Sequence, residues 1–124
     1  MNQNILVEKN KEKKIASIIL NRPEKLNAAT VKMLDEINEI VQKLEEDEDV
    51  KVIIFKGNGR CFSSGLDLTD LGFAHGFGTG QPGERRPSQR QRLLMDGPHF
   101  LGRRAFTQTI LCCKKATIAQ VHGY

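Results

Sequence analysis

The chain has 124 residues, of which 39% are hydrophobic and 27% charged, with a formal net charge of +4. This length points to one domain, residues 1–124, able to bury most of a modest core, and no apolar run approaches the ~20 residues of a membrane-spanning helix. The modest basic excess, with no aromatic platform or nucleic-acid motif beside it, favours a small anionic ligand over a nucleic-acid partner, and a membrane partner is not expected either.

The opening Met1-Asn2-Gln3-Asn4 is polar and leads only into Ile5-Leu6-Val7, so it does not resemble a signal peptide. Cys61, Cys112 and Cys113 are odd in number and lack Cys-x-x-Cys spacing. They fit a reducing compartment, with the cytoplasm expected, and no metal site is expected.

Ile5 to Lys9 and Ile15 to Leu20 are short apolar runs around the charged stretch Asn10 to Lys14, the pattern of a β-hairpin. Pro23 stops the second run, because it lacks a donor and holds Arg22 extended, so Arg22 to Ala28 is predicted as a loop carrying basic residues. From about Thr30 the spacing of Leu34, Ile37, Val41 and Leu44 predicts an amphipathic helix, capped by Asn27 or Thr30. The acidic run Glu45 to Asp49 opposes the helix dipole and is expected to be a solvated exit, not a metal site.

Val52 to Phe55 then form a strand-like run ending at Lys56-Gly57-Asn58-Gly59, and Cys61-Phe62 lead into Ser63-Ser64-Gly65-Leu66-Asp67-Leu68. A strand delivering its chain to a glycine-containing turn that opens a helix has local chemistry. Gly65 lets backbone approach a ligand closely, and the amides that follow, beginning with Leu66, lack a carbonyl one turn back. Free N–H groups suit a developing negative charge. The plainer alternative is a strand-to-helix connection with Asp67 as the helix cap.

Beyond Leu68 the glycine-rich stretch from Gly72 to Gly83 has neither period, and residues 73–92 are predicted to be a mobile loop. Leu93, Leu94, Phe100, Leu101, Phe106, Ile110 and Leu111 suggest a helical segment interrupted near Gly97-Pro98. Thr117 to Val121 is β-prone. His75, His99 and His122 have no paired carboxylate in motif and suit loop or surface positions. Ser63 and Ser64 lack a Gly-x-Ser-x-Gly elbow, Gly57-Asn58-Gly59 is followed by no Walker lysine, and Cys61 suits a small core hydrophobe.

Four segments taken together resemble a known family: Ile18-Ile19-Leu20-Asn21-Arg22-Pro23-Glu24-Lys25-Leu26-Asn27-Ala28, Val50 to Arg60, Phe62 to Leu68, and Ala116 to Tyr124. In this order and spacing they are similar to the crotonase superfamily, which includes enoyl-CoA hydratases and isomerases. The resemblance implies an α/β fold, a spiral of ββα turns of which this is the N-terminal portion. It also implies an acyl-CoA thioester partner, assembly as a homo-trimer or hexamer, and no separate cofactor, since coenzyme A is part of the substrate.

By that resemblance Leu66 N–H is one of two backbone donors to the thioester oxyanion. Ser64, Gly65, Leu66, Asp67 and Leu68 shape the CoA pocket. Arg22 and Lys25 meet phosphate, while Leu26 and Ala28 line the tunnel; the alternative for Arg22 and Lys25 is a solvated pair on a loop. Family members are longer, with the second donor just past Tyr124 and most catalytic carboxylates beyond. One missing oxyanion donor costs ~10²–10³ in rate and a missing acid or base ~10²–10⁴. These 124 residues alone are therefore expected to be nearly inactive. The alternative from another class is a non-catalytic CoA-binding or assembly module.

Overall fold

The structure, a computed structural model, describes residues 3–69 and 106–123. The mobile-loop expectation for 73–92 and the helical expectation for Leu93 to Leu101 lie outside the described residues.

Strands β1 (Ile5–Asn10) and β2 (Ile15–Leu20) form the expected hairpin, in register from Ile5 opposite Leu20 to Asn10 opposite Ile15. Asn10 Oδ1 accepts from Lys13 N at 2.9 Å. This side-chain-to-backbone bond lets a lysine-rich turn close without glycine. After β2 the expected loop contains a single 3-10 turn, Pro23–Lys25, and helix α1 (Val31–Glu46) follows. Of the two candidate caps Thr30 takes the role, its hydroxyl accepting from Met33 N at 3.2 Å; Asn27 has another role. Strand β3 (Val52–Gly57) lies parallel to β2, a pairing that requires a crossover such as α1. Helix α2 (Phe106–Leu111) and strand β4 (Ala116–Ala119) complete the described elements, giving a mixed sheet in the order β1-β2-β3-β4.

Period-2 alternation assigns one face of this sheet to the core. Ala16, Ile18 and Leu20 of β2 share a face with Ile5 of β1 and Ile53 of β3, and α1 covers it with Met33, Ile37, Val41 and Leu44. Helix α2 rests against α1, where Thr109 Oγ1 bonds to Asn38 Oδ1 and Ile110 and Cys113 pack at the edge of the core. Strand β4 stops earlier than its β-prone sequence suggests. Gln120 N still donates to Phe55 O at 2.8 Å, but His122 O then accepts from Phe62 N at 2.9 Å. β4 thus ends opposite Phe55, two residues before β3 does, where the bond from Phe62 takes the chain off the ladder.

The acidic exit of α1 differs from the solvated run expected. Lys9 Nζ meets Asp47 Oδ2 at 2.6 Å and Lys11 meets Asp49 at 3.5 Å. Glu45 Oε1 accepts from Lys114 N at 2.7 Å, and Lys115 Nζ donates to Asp47 O and Val50 O. The hairpin and the turn before β4 thus bring cations to a helix end that already carries negative charge. The hydrogen bond from Lys9, with help from Asp49 N–H, holds the Asp47 carboxyl below its ordinary value of 3.8.

A depressed carboxylate contributes stability above its unfolded-state pKa and loses it as pH falls through the folded one. Asp47→Asn is therefore expected to be slightly less stable than the parent at neutral pH. The gap should close once the pH is well below 3.8. Urea midpoints across that range check this, and a pH-independent gap would remove the ion pair as the cause.

Candidate functional site

The site is built where the loop after β2 meets the turn after β3. Asn27 joins them. It is fully buried, with φ +54°, a left-handed conformation that Asn tolerates better than most residues. Its Oδ1 accepts from Arg22 N at 2.8 Å, and its Nδ2 donates to Asn58 O at 2.8 Å and Cys61 O at 3.0 Å. Ser63 Oγ donates to Asn27 O at 2.9 Å and accepts from Gly65 N at 3.1 Å. That hydroxyl is occupied in holding the turn. Cys61 is buried with its thiol directed at Leu26 O, as expected of a small core residue.

Three further backbone bonds zip the loop to the turn: Ser64 N to Leu26 O at 2.9 Å, Ala29 N to Gly65 O at 2.8 Å, and Asp67 N to Ala29 O at 2.8 Å. The last two make Ala29 and Leu66 an isolated parallel bridge. Their consequence for Leu66 follows from peptide geometry. In a planar trans peptide the C=O and the following N–H point in opposite directions. Gly65 C=O faces Ala29, so Leu66 N–H faces away from it, and it donates to none of the described residues.

The sequence predicts a free amide here at the start of a helix. The reason is different: helical backbone begins only at Leu68 and Thr69, and Asp67 N–H is already engaged. Leu66 N–H is open because the bridge turns it outward. Asp67 does act as the cap suggested, its Oδ1 accepting from Thr69 N at 3.1 Å. Gly65 has φ +104°, and a Cβ built on it would meet nothing within 4 Å. The backbone beside the open amide therefore has room for another molecule to approach.

Gly65→Ala is expected to destabilise the fold by about 1–3 kcal/mol through backbone strain alone, since no neighbour obstructs the added methyl. Urea denaturation checks the magnitude. An unchanged midpoint would mean that the turn relaxes to a negative φ.

Arg22 is not the solvated loop cation of the alternative reading. Its Nη1 donates to Ala28 O at 2.8 Å and to Asp67 Oδ2 at 3.1 Å, and its side chain is only 14% exposed. Lys25 lies exposed on the 3-10 turn, Leu26 and Ala28 are half-buried behind it, and Ser64, Gly65, Leu66 and Leu68 form an exposed ridge. The structure thus brings Arg22, Ala28 and Asp67 into one cluster around the Leu66 turn. Asn27 is the organising residue that sequence reasoning assigned only as a possible cap; its signal was an Asn in a tight loop beside a proline.

A hollow lined by Gln3, Asn4, Lys32, Asp35, Glu36 and Glu39 lies elsewhere on the surface. Its carboxylates suit an anion poorly. Among the described residues no three His, Cys, Asp or Glu side chains converge on a metal position, and no helix is long and apolar enough to cross a membrane.

Residues 10–95 match the family model described as enoyl-CoA hydratase/isomerase. This chain belongs to that family, within the crotonase superfamily. Among relatives of the hydratase/isomerase family, a peroxisomal Delta(3,5)-Delta(2,4)-dienoyl-CoA isomerase of Arabidopsis thaliana is 30% identical over 95% of this chain and 41% of its own length. A probable enoyl-CoA hydratase of Mycobacterium tuberculosis is 33% identical over 90% of this chain and 37% of its own. Among solved structures, a probable enoyl-CoA hydratase from Mycobacterium smegmatis superimposes with a TM-score of 0.76 at 30% identity, over 97% of this chain and 41% of that one. An enoyl-CoA hydratase/isomerase from Xanthobacter autotrophicus does so with a TM-score of 0.71 at 34% identity. The α/β fold of these crotonase-type enzymes is the fold of this chain, which spans about two fifths of their length.

Proposed function

We propose that this chain carries the first part of an acyl-CoA thioester site, in which Leu66 N–H donates to the thioester carbonyl oxygen. The observation that carries this is the outward Leu66 amide beside an unobstructed Gly65. The family's hydratases and isomerases lend it a reaction class. In hydration, water gives up a proton to a base as its oxygen bonds to C3 of the enoyl group, the double-bond pair moves to form an enolate, and the thioester oxygen takes up the charge. A proton then returns to C2. A fixed amide aimed at that oxygen stabilises the charge without reorganising, and one such donor is worth ~10²–10³ in rate.

Lys25, exposed at the mouth of the loop, is the cation we assign to CoA phosphate. Leu26 and Ala28 flank the thioester arm, and the ridge Ser64 to Leu68 shapes its other wall. Coenzyme A enters as part of the substrate, so no further cofactor is invoked. The chain on its own is expected to bind but scarcely to turn over, because the Leu66 amide is on this reading half of a donor pair. We infer a homo-trimer or hexamer for the complete site and a cytoplasmic location. Ile118 and Val121, exposed at and just past the edge strand β4, favour a second reading as a non-catalytic CoA-binding or assembly module.

A proton NMR time course of crotonyl-CoA with the purified chain tests this. Broadening of the ligand resonances without new signals is the expected result. Broadening with appearance of 3-hydroxybutyryl-CoA would show that the chain supplies its own acid and base and overturn the partial-site reading. Sharp, unchanged resonances would remove acyl-CoA binding from the chain. Discrete trimers on sizing favour the enzyme, and heterogeneous association without turnover favours the module.

A further inference from the structure

The Arg22 guanidinium is the residue whose position departs most from what its chemistry suggests. A loop arginine beside an expected phosphate is ordinarily a ligand. Here one nitrogen, Nη1, bridges Ala28 O at 2.8 Å and Asp67 Oδ2 at 3.1 Å, and the two side chains are 14% and 19% exposed. Both ends of that bridge adjoin the bonds that set the Leu66 amide. Ala28 precedes Ala29, whose N–H and C=O hold Gly65 O and Asp67 N. Asp67 follows Leu66, and its other carboxylate oxygen takes Thr69 N at 3.1 Å. The ion pair therefore ties together the two strips of backbone between which the peptide of Gly65 and Leu66 is oriented.

We propose that Arg22 and Asp67 are a positioning pair that fixes the direction of Leu66 N–H, and that Arg22 is not a phosphate ligand. This rests on the reading of Leu66 given above, but its first test does not. Partly desolvated charge pairs hold geometry more firmly than neutral bonds, and a bridge linking residues 22, 28 and 67 restrains a turn that has glycine at its centre. The two roles for Arg22 make opposite predictions for Asp67. If Asp67 holds Arg22 in a positioning role, neutralising it disorders the amide and weakens recognition of the carbonyl. If Arg22 serves phosphate, neutralising Asp67 frees the guanidinium and tightens CoA.

The experiment uses the isotopically labelled chain with Arg22→Met, Asp67→Asn and the double variant. Asp67→Asn is isosteric and retains an acceptor for Thr69 N, so it serves if Arg22→Met does not fold. In the free chain, both single variants are expected to raise the hydrogen-exchange rate of Ala29 N–H, whose bond to Gly65 O turns Leu66 N–H outward, with amides of β2 and α1 unmoved. Affinities for crotonyl-CoA and for free CoA are then compared. The preference for crotonyl-CoA, which alone has the thioester carbonyl, is expected to fall about fivefold, the worth of one hydrogen bond. The double variant should lose no more than either single one.

Unchanged exchange at Ala29 N–H, equal weakening of both ligands by Arg22→Met, or tighter CoA binding in Asp67→Asn would each overturn the proposal. Should the parent chain bind neither ligand, the acyl-CoA reading fails, and the free-chain amide measurements alone decide the positioning role.

Discussion

Replacing Asn27 with Ala is expected to unfold the chain or bring it close to unfolding, with a loss of about 3–5 kcal/mol. The side chain is wholly buried and serves Arg22 N, Asn58 O and Cys61 O at once. A buried polar group left without its partner costs ~1–3 kcal/mol. Alanine must also adopt the left-handed conformation at φ +54°, which adds about 1–2 kcal/mol. Small domains hold only ~5–15 kcal/mol in total. Urea denaturation followed by circular dichroism measures the loss. Asn27→Gly separates its parts, since glycine forfeits the same bonds without the backbone penalty and should be the less damaged variant. A loss below about 1 kcal/mol in both would mean that water replaces the amide, against the hub role assigned here.

The other large effect is expected at the centre of the sheet. Ile53 is fully buried between Ala16 and Thr117 of the neighbouring strands and faces α1. Ile53→Ala should cost about 2–5 kcal/mol, the range for truncating a packed aliphatic side chain. Ile54, its neighbour on the opposite face, is half-buried, and Ile54→Ala should cost clearly less. Equal losses would mean that both faces of β3 are packed to the same degree. Comparing the two midpoints therefore checks the assignment of faces independently of Asn27.

What was legible in the sequence follows from the range of each signal. The hairpin and α1 came from signals that are local: two apolar runs around the charged stretch Asn10 to Lys14, and Leu34, Ile37, Val41 and Leu44 on one stripe. The expectations for β4 and the helix end were imperfect because distant partners set them. Phe62 draws the chain at His122 off the ladder, and Lys9, Lys114 and Lys115 engage the acidic exit. The family was legible from four motifs in order.

The arrangement inside the site was less so. That Arg22 meets Asp67, 45 residues away, is invisible to spacing. Leu66 was singled out for a helix-start argument, whereas its amide is open through the bridge to Ala29. Residue type and position identified the amide, and only tertiary bonding accounts for its direction.

The bonds that aim Leu66 also have a kinetic consequence. The β1–β2 turn closes over a few residues, and α1 is local by nature. By contrast, Asn27 reaches Asn58 and Cys61 across separations of 31 and 34 residues, and the parallel pairing of β2 with β3 must precede them. Long closures are entropically slow and are completed late. During refolding, helix and hairpin signals should recover first, and protection around the turn from Ser63 to Asp67 last. The outward Leu66 amide would then be among the last features the chain acquires, so that a partly folded chain with native helix content would still lack it.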